Sequence, residues 1–105
     1  VDMAFGVMGG AYQAFGHAHF VSNLIDHGMD LQTAIDQPRL FFEGDPVVVE
    51  NGISEAVFRE LRARGHDAIR RPVALGGAQA IRIDWDRGVL IGGSDGRKDG
   101  FALGY

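Results

Sequence analysis

A glycine-rich turn, Gly6-Val7-Met8-Gly9-Gly10, most strongly constrains how this chain can fold. It follows a short apolar run and leads into a segment with the apolar spacing of a helix. Glycines allow a tight strand-to-helix bend, and they also let the backbone approach a ligand with its N–H groups turned toward it. The positive end of the following helix would favour an anion or oxyanion. The turn alone therefore predicts either a plain bend or an anion-binding loop.

The first third of the chain predicts a strand and two helices. The strand covers 3–7, and apolar residues at helical spacing over 13–27 predict a buried helix that ends at Gly28. Asp30 is a suitable N-cap for a second, short helix over 31–37, which Pro38 would stop. The two helices should form a bent pair.

The middle of the chain predicts two strands around a third helix. After an irregular segment at 40–45, the β-branched run 47–50 is typical of a strand. Ser54 is an N-cap candidate, with Ile53 and Phe58 placed as a hydrophobic staple, for a helix that runs to Arg64. The apolar residues expected to be buried in this helix are Val57, Phe58 and Leu61.

The last third predicts β structure. A strand is expected over 66–71, and the runs 78–83 and 88–92 flank 84–87 as a hairpin. The total is three helices and about five mainly antiparallel strands, an α+β fold. At 105 residues the chain is expected to form a single segment over 1–105.

Composition excludes several classes of function. The net charge of −4 and the scattered Lys and Arg residues argue against nucleic-acid binding. With no cysteine there is no disulfide framework and no thiolate nucleophile. The sequence shows no signal peptide and no membrane span. Because the chain starts within an apolar run, we expect it to be the C-terminal piece of a longer protein.

The four histidines do not predict a metal site. His17 and His19 form an H-x-H pair, but on a helix their side chains would lie about 200° apart, which is unsuitable for one metal ion. His27 and His66 each precede or follow a glycine that ends a helix, where the helix dipole favours a cation. They are interpreted as caps.

Two further patterns contain residue types found in catalytic or phosphate-binding sites. Ser22, Ser54 and Ser94 could be combined with a histidine and an aspartate into a triad, but none lies in a nucleophile elbow. The loop 92–98 loosely resembles a phosphate-binding loop, but it lacks the required spacing. A turn stabilised by local ion pairs around Asp95, or a loop that lines another site, is the favoured interpretation.

A series of motifs in a fixed order resembles the C-terminal part of a γ-glutamyltranspeptidase. The motifs are G-x-x-G-G at 6–10, D-H-G-M-D at 26–30, A-I-D-Q-P-R at 34–39, G-G-A-Q-A-I at 76–81, G-S-D-G-R-K-D-G at 93–100 and G-Y at 104–105. The resemblance spans essentially the whole chain and about half of that family's small subunit.

The resemblance implies an N-terminal nucleophile hydrolase with an αββα sandwich, formed when a precursor cleaves itself into large and small subunits. The new N-terminal Thr would attack a γ-glutamyl amide, such as that of glutathione, and form an acyl-enzyme. The family's oxyanion hole is made by two adjacent glycine amides, which match Gly9 and Gly10 here. The implied partners are the rest of the small subunit, the large subunit and a small γ-glutamyl substrate, and no cofactor or metal is implied.

Departures from the family pattern leave alternatives open. The one threonine, Thr33, lies in the second helix, so the nucleophile is expected outside this chain and the chain alone should be inactive. Val7-Met8 replaces the usual Ser-Pro, and Gln13 and Gly16-His17 follow a pattern like the transpeptidase-related branch. A related acylase acting on another side-chain amide is therefore an alternative.

A non-catalytic module for fold completion or oligomerisation is a second alternative, in which the glycines only turn the chain. Exposed strand edges would favour a homo-oligomer if the segment folds alone. The substrate-binding residues are not identified by the sequence. The compartment, periplasmic or cytoplasmic, stays open.

Overall fold

The computed structural model describes residues 1–42 and 44–104, so Glu43 in the segment 40–45 and Tyr105 of the last motif lie outside the described residues. The described chain forms two compact units. The first comprises residues 1–36 and 76–104, and the second comprises residues 37–75. Each unit has its own three-stranded sheet.

The first unit contains two helices, three strands and two single 3₁₀ turns. Its elements in chain order are β1 (Met3–Met8), a 3₁₀ turn (Gly10–Tyr12), α1 (Gln13–Ile25), α2 (Leu31–Asp36), β5 (Gly77–Asp84), β6 (Val89–Ser94) and a second 3₁₀ turn (Gly96–Lys98). The second unit contains β2 (Leu40–Phe42), β3 (Val47–Val49), α3 (Glu55–Ala63) and β4 (Ala68–Arg70).

The sheet of the first unit is antiparallel, in the order β1-β5-β6. Val7 is paired with Ala78, and both are buried because they lie on the face covered by the helices. On the same face the Phe5 ring lies 5.0 Å from the Phe20 ring of α1. Small residues let the helices approach closely: a Cβ built at Gly93 would lie 2.7 Å from Cδ1 of Ile35 in α2.

The sheet of the second unit mixes pairings, with β2 antiparallel and β4 parallel to the central β3. Three side chains are fully buried in its core: Val47, Val49 and Ala68. Ile53, Phe58 and Leu61 pack against this core and are only partly buried. The unit therefore buries its apolar surface mainly between β3, β4 and one side of α3.

Most of the predicted elements are confirmed. The α+β class, the three helices and the 78–92 hairpin are present, and both predicted N-caps form: Asp30 Oδ1 accepts the Thr33 N–H at 3.0 Å and Ser54 Oγ accepts the Val57 N–H at 3.2 Å. Gly28 follows α1 with a φ of +62°. The first helix ends at Ile25, two residues earlier than expected.

Two predictions about the second unit are wrong. Residues 40–42 form a strand rather than an irregular segment, because pairing with Val47–Val49 supplies their hydrogen bonds, so the described residues contain six strands instead of five. Val57 was expected to be buried, but 48% of its surface is exposed. It lies on the solvent side of a helix that contacts the sheet through Phe58 and Leu61. No helix among the described residues is long and apolar enough to cross a bilayer.

Candidate functional site

The glycine turn joins the end of β1 to the start of α1 in the first unit. Gly9 has φ +135° and Gly10 has φ +59°, both in the region that side-chain-bearing residues rarely adopt. The N–H of Tyr12 donates to the Gly9 carbonyl at 3.1 Å and closes the turn. The sequence therefore places two glycines where only glycine adopts the backbone without strain.

Buried packing beneath the turn fixes its position. Tyr12 is 2% exposed. A Cβ built at Gly76 would lie 2.5 Å from the Met8 carbonyl oxygen and 2.7 Å from Cδ1 of Tyr12, and one at Gly16 would lie 2.6 Å from Cγ1 of Val7. The second double glycine thus supports the first by allowing close approach. The sequence marks Gly76 and Gly16 only as parts of family-like patterns, and nothing local in it marks Tyr12.

The turn leaves two consecutive backbone donors open. Gly9 and Gly10 are exposed, and neither N–H donates to an acceptor within the hydrogen-bond network of the described residues. A Cβ built at Gly10 would meet no atom within 4 Å. Two such N–H groups, held by a rigid turn at the start of a helical segment, can stabilise a developing negative charge on a bound carbonyl oxygen.

A cleft of about 400 Å³ adjoins the turn. Its lining carries no charged side chain: Gly6, Val7, Met8, Gln13, His17, Gly77 and Gln79. His17 joins both sides of the turn, since its Nε2 accepts the Val7 N–H at 3.2 Å and its Nδ1 lies 2.6 Å from the Gln13 carbonyl oxygen. The sequence alone does not predict these hydrogen bonds of His17, because the contact with Val7 depends on the packing of α1 against β1.

The other histidines are placed apart from this cleft. His19 lies on α1 two residues from His17, and no group of three or more potential metal ligands occurs among the described residues. His27 and His66 are exposed and follow α1 and α3, respectively, where their N–H groups donate to the Ser22 and Leu61 carbonyls. These positions fit their interpretation as residues at helix ends.

The three serines have structural partners. Ser22 Oγ donates to Asp26 at 2.6 Å within the same helical turn, and Ser54 caps α3. Ser94 Oγ donates to Gln79 Oε1 at 2.6 Å between β6 and β5. None of these hydroxyl contacts involves a histidine, so the structure assembles no serine triad from the described residues.

The loop 92–98 is organised around a buried carboxylate. Asp95, fully buried, accepts the N–H of Ala78 at 2.8 Å, the N–H of Arg97 at 3.0 Å and Nη1 of Arg97 at 3.2 Å. Arg97 also donates to the carbonyls of Ile35 and Asp36 in α2. The predicted turn with a local ion pair is therefore confirmed, and these contacts join the loop to β5 and α2.

Comparison with known proteins gives consistent matches. The family model described as Gamma-glutamyltranspeptidase matches residues 1–105. The chain is 44% identical over 92 residues to the Acylase ACY 1 proenzyme of Pseudomonas sp. (strain SE83), covering 87% of this chain and 16% of that protein. It is 32% identical over 81 residues to the Glutathione hydrolase proenzyme of Bacillus subtilis (strain 168), covering 76% and 14%, respectively.

Solved structures agree with these sequence matches. The crystal structure of cephalosporin acylase from Bacillus halodurans superposes with a TM-score of 0.86 at 37% identity, over 96% of this chain and 20% of that chain. The chain thus spans less than a quarter of the length of each of these three relatives.

Proposed function

This chain belongs to the γ-glutamyltranspeptidase family, and we propose that it supplies the oxyanion-stabilising amides of an N-terminal nucleophile amidase or acyltransferase. In the proposed reaction an N-terminal Thr outside residues 1–105 attacks an amide carbonyl carbon. The carbonyl oxygen becomes an oxyanion that accepts the Gly9 and Gly10 N–H groups. Collapse of this intermediate expels the amine and leaves an acyl-enzyme, which water or an amino acid then cleaves.

The observation that carries the proposal is the pair of open N–H groups on a turn that buried packing holds in place. Donors fixed before the reaction need no reorganisation when the charge develops. The adjoining cleft supports the same role, because it offers a bound carbonyl group a place next to the turn. Loss of one such donor typically lowers a rate about 10²- to 10³-fold.

The attacking group is proposed to come from another part of the protein. Thr33 lies in α2, and its hydroxyl donates to Asp30 Oδ2 at 2.5 Å, so it serves as part of a helix cap. The relatives named above include two proenzymes, which supports a precursor that is processed into subunits. We therefore propose that residues 1–105 form a segment of the small subunit, partnered by its remainder and by the large subunit.

The proposed acyl-donor substrates are amides of glutamate-like acids, and two classes of acyl group are considered. γ-Glutamyl amides, which carry an α-amino group, are the donors expected from the family, whereas the 44% identity to an acylase supports the alternative of a different acyl group. Turnover of γ-glutamyl-p-nitroanilide and glutaryl-p-nitroanilide distinguishes them, because the two differ only in that amino group. Neither substrate should be turned over by residues 1–105 alone.

Replacing a backbone amide by an ester tests the oxyanion role without adding a side chain to the turn. Proline is unsuitable at position 10, because its fixed φ near −65° is incompatible with the φ of +59° found there. In the assembled protein, glycolic acid in place of Gly10 removes the Gly10 N–H and weakens the Gly9 carbonyl as the acceptor of the Tyr12 N–H. An α-hydroxy analogue of Ala11 is the matched control, because it likewise weakens the Gly10 carbonyl as the acceptor of the Gln13 N–H and keeps the Gly10 N–H. We expect the Gly10 ester to lower the acylation rate about 10²-fold and the control to have a small effect.

An unchanged acylation rate in the Gly10 and Gly9 esters would contradict the oxyanion assignment. Under that outcome the glycines act only as a bend, which is the role required by the alternative of a non-catalytic module for fold completion or oligomerisation.

A further inference from the structure

One imidazole connects the two segments that flank the glycine turn. The Val7 N–H, at the end of β1 before the turn, donates to Nε2 of His17 at 3.2 Å. Nδ1 of the same ring lies 2.6 Å from the carbonyl oxygen of Gln13, in the first turn of α1. The hydrogen bond therefore joins residues 7 and 17, which lie on either side of Gly9 and Gly10 in the sequence.

The hydrogen bonds determine the protonation of this ring. A backbone N–H can only donate, so Nε2 must be the unprotonated acceptor. Nδ1 then carries the proton and donates it to the Gln13 carbonyl. His17 is thus a neutral, Nδ1-protonated histidine, and protonation of Nε2 would remove the acceptor for Val7.

His17 supplies an acceptor that the sheet does not offer to the Val7 N–H. β1 is an edge strand, paired only with β5 among the described strands, and the Val7 N–H is turned away from that partner toward α1. Val7 is 3% exposed, so an N–H without an acceptor there would be costly. The Phe5 ring, 5.5 Å from the imidazole in an edge-to-face arrangement, further limits how the ring can turn.

We propose that His17 is a positioning residue, which holds β1 against α1 so that the Gly9 and Gly10 N–H groups keep a fixed geometry. This inference rests on the proposed function for its catalytic consequence, but not for the hydrogen bond itself. His17 acts through Val7 and the turn, and it transfers no proton in the reaction.

Two amide substitutions separate the two ring nitrogens. In His17→Gln the side-chain oxygen reaches the place of Nε2 and can accept the Val7 N–H, whereas in His17→Asn the shorter amide reaches only the place of Nδ1. We expect His17→Asn to lower the acylation rate of the assembled protein about tenfold, with little change in the KM of the donor, and His17→Gln to stay near wild type. His27→Asn and His27→Gln, at an exposed position beyond α1, serve as matched controls.

Two measurements without substrate test the bond directly. Histidine-selective 15N NMR of the assembled protein should show one Nδ1-protonated neutral ring that is lost in His17→Gln. Hydrogen exchange of the Val7 amide should speed up in His17→Asn and stay slow in His17→Gln. If the ring of His17 is protonated at Nε2, or if the Val7 amide exchanges equally fast in the two variants, the proposed hydrogen bond is wrong.

The outcomes also distinguish this inference from the proposed function. If the Gly10 ester slows acylation while His17→Asn and His17→Gln both match wild type, the positioning role is wrong and the oxyanion role stands. If the ester has no effect, the oxyanion role fails, and Val7 exchange still decides whether His17 holds the strand.

Discussion

The two units of the molecule are each organised around a buried carboxylate, but they depend on it differently. In the first unit Asp95 accepts backbone and guanidinium N–H groups at the end of β6, where Arg97 continues to the α2 carbonyls. In the second unit Glu50 accepts the N–H of Arg39 and the N–H of Leu75, each at 2.9 Å. Both carboxylates thus join segments that are distant in sequence.

The surroundings of these carboxylates are unequal. Near Asp95 the interior is formed by two helices packed on a sheet, with Val7, Phe20, Ile35, Ala78 and Ala80 buried. Among the described residues of the second unit, three apolar side chains are buried, and α3 contains no buried residue. We infer that the buried carboxylate reinforces an already packed interior in the first unit and supplies a larger share of the stability in the second.

Replacing each carboxylate by its amide should give the largest effects. Asp95→Asn leaves Arg97 and the Ala78 N–H without their anionic acceptor, and Glu50→Gln does the same to the N–H groups of Arg39 and Leu75. We expect a local loss of about 3–5 kcal/mol in each case. In the assembled protein, hydrogen exchange should accelerate in β5 for Asp95→Asn and in β3 for Glu50→Gln. Exposed Asp86→Asn is the control and should change neither.

The same exchange measurements can contradict this difference between the units. If Glu50→Gln accelerates hydrogen exchange in β5 as much as in β3, the second unit does not open by itself. If Asp95→Asn lowers protection throughout the first unit more than Glu50→Gln does throughout the second, the first unit depends more on its carboxylate, contrary to our inference.

Adding one methyl group at a glycine should have an intermediate effect that differs between the units. Gly16→Ala would place Cβ 2.6 Å from Cγ1 of buried Val7, so we expect destabilisation of about 1–3 kcal/mol despite the better helix propensity of alanine. In Gly52→Ala the nearest atom is Cγ of Pro38 at 2.9 Å, and this partly buried ring can shift more easily than buried Val7. Thermal unfolding of the two variants checks this order, and a larger loss for Gly52→Ala would contradict it.

Removal of the cap of α3 should cost less. Ser54→Ala deletes the acceptor of the Val57 N–H, and a lost N-cap of this type costs about 1 kcal/mol. Because α3 contributes only partly buried residues, hydrogen exchange should increase first at its N-terminal turn. Ser54→Asp retains an acceptor and should preserve protection; equal exchange in both variants would argue against the cap.

The smallest expected effect is a change in titration at the cap of α2. Hydrogen bonds from the Thr33 hydroxyl, and then from the Thr33 N–H, hold the pKa of Asp30 below its ordinary value. A lowered folded-state pKa means that the stabilisation is present above the unfolded-state value and is lost as the pH falls through the folded one. Thr33→Val removes the hydroxyl and should raise the Asp30 pKa toward normal in an NMR titration, while Gln32→Ala should leave most of the shift. An unchanged Asp30 pKa in Thr33→Val would refute this cause.

Local chemistry made much of the fold predictable. The caps at Asp30 and Ser54, the glycine after α1 and the 78–92 hairpin follow from residues that act on their immediate neighbours. β2 was missed because its hydrogen bonds come from β3, and the exposure of Val57 depends on which side of α3 meets the sheet. The sequence did not predict the features that depend on contacts between residues distant in the chain.

The candidate site divides in the same way. The glycine turn could be found from the sequence, because two residues with positive φ need glycine. The contacts that hold it could not, since His17 meets Val7 and Tyr12 meets Gly76 only after α1 has packed on the sheet. The oxyanion role of Gly9 and Gly10 stays a prediction that rests on family resemblance and on their open N–H groups.

The hydrogen bonds among Glu50, Arg39 and Leu75 have an evolutionary consequence. They bring the two ends of the second unit together, with Nη1 of Arg39 donating to the Leu75 carbonyl at 2.8 Å. A stretch of chain whose entrance and exit meet can be lengthened, shortened or exchanged during divergence without requiring the segments before and after it to move. Residues 37–75 are therefore where we expect insertions and deletions to accumulate among relatives, while the spacing from Gly9 to Gly16 stays constant.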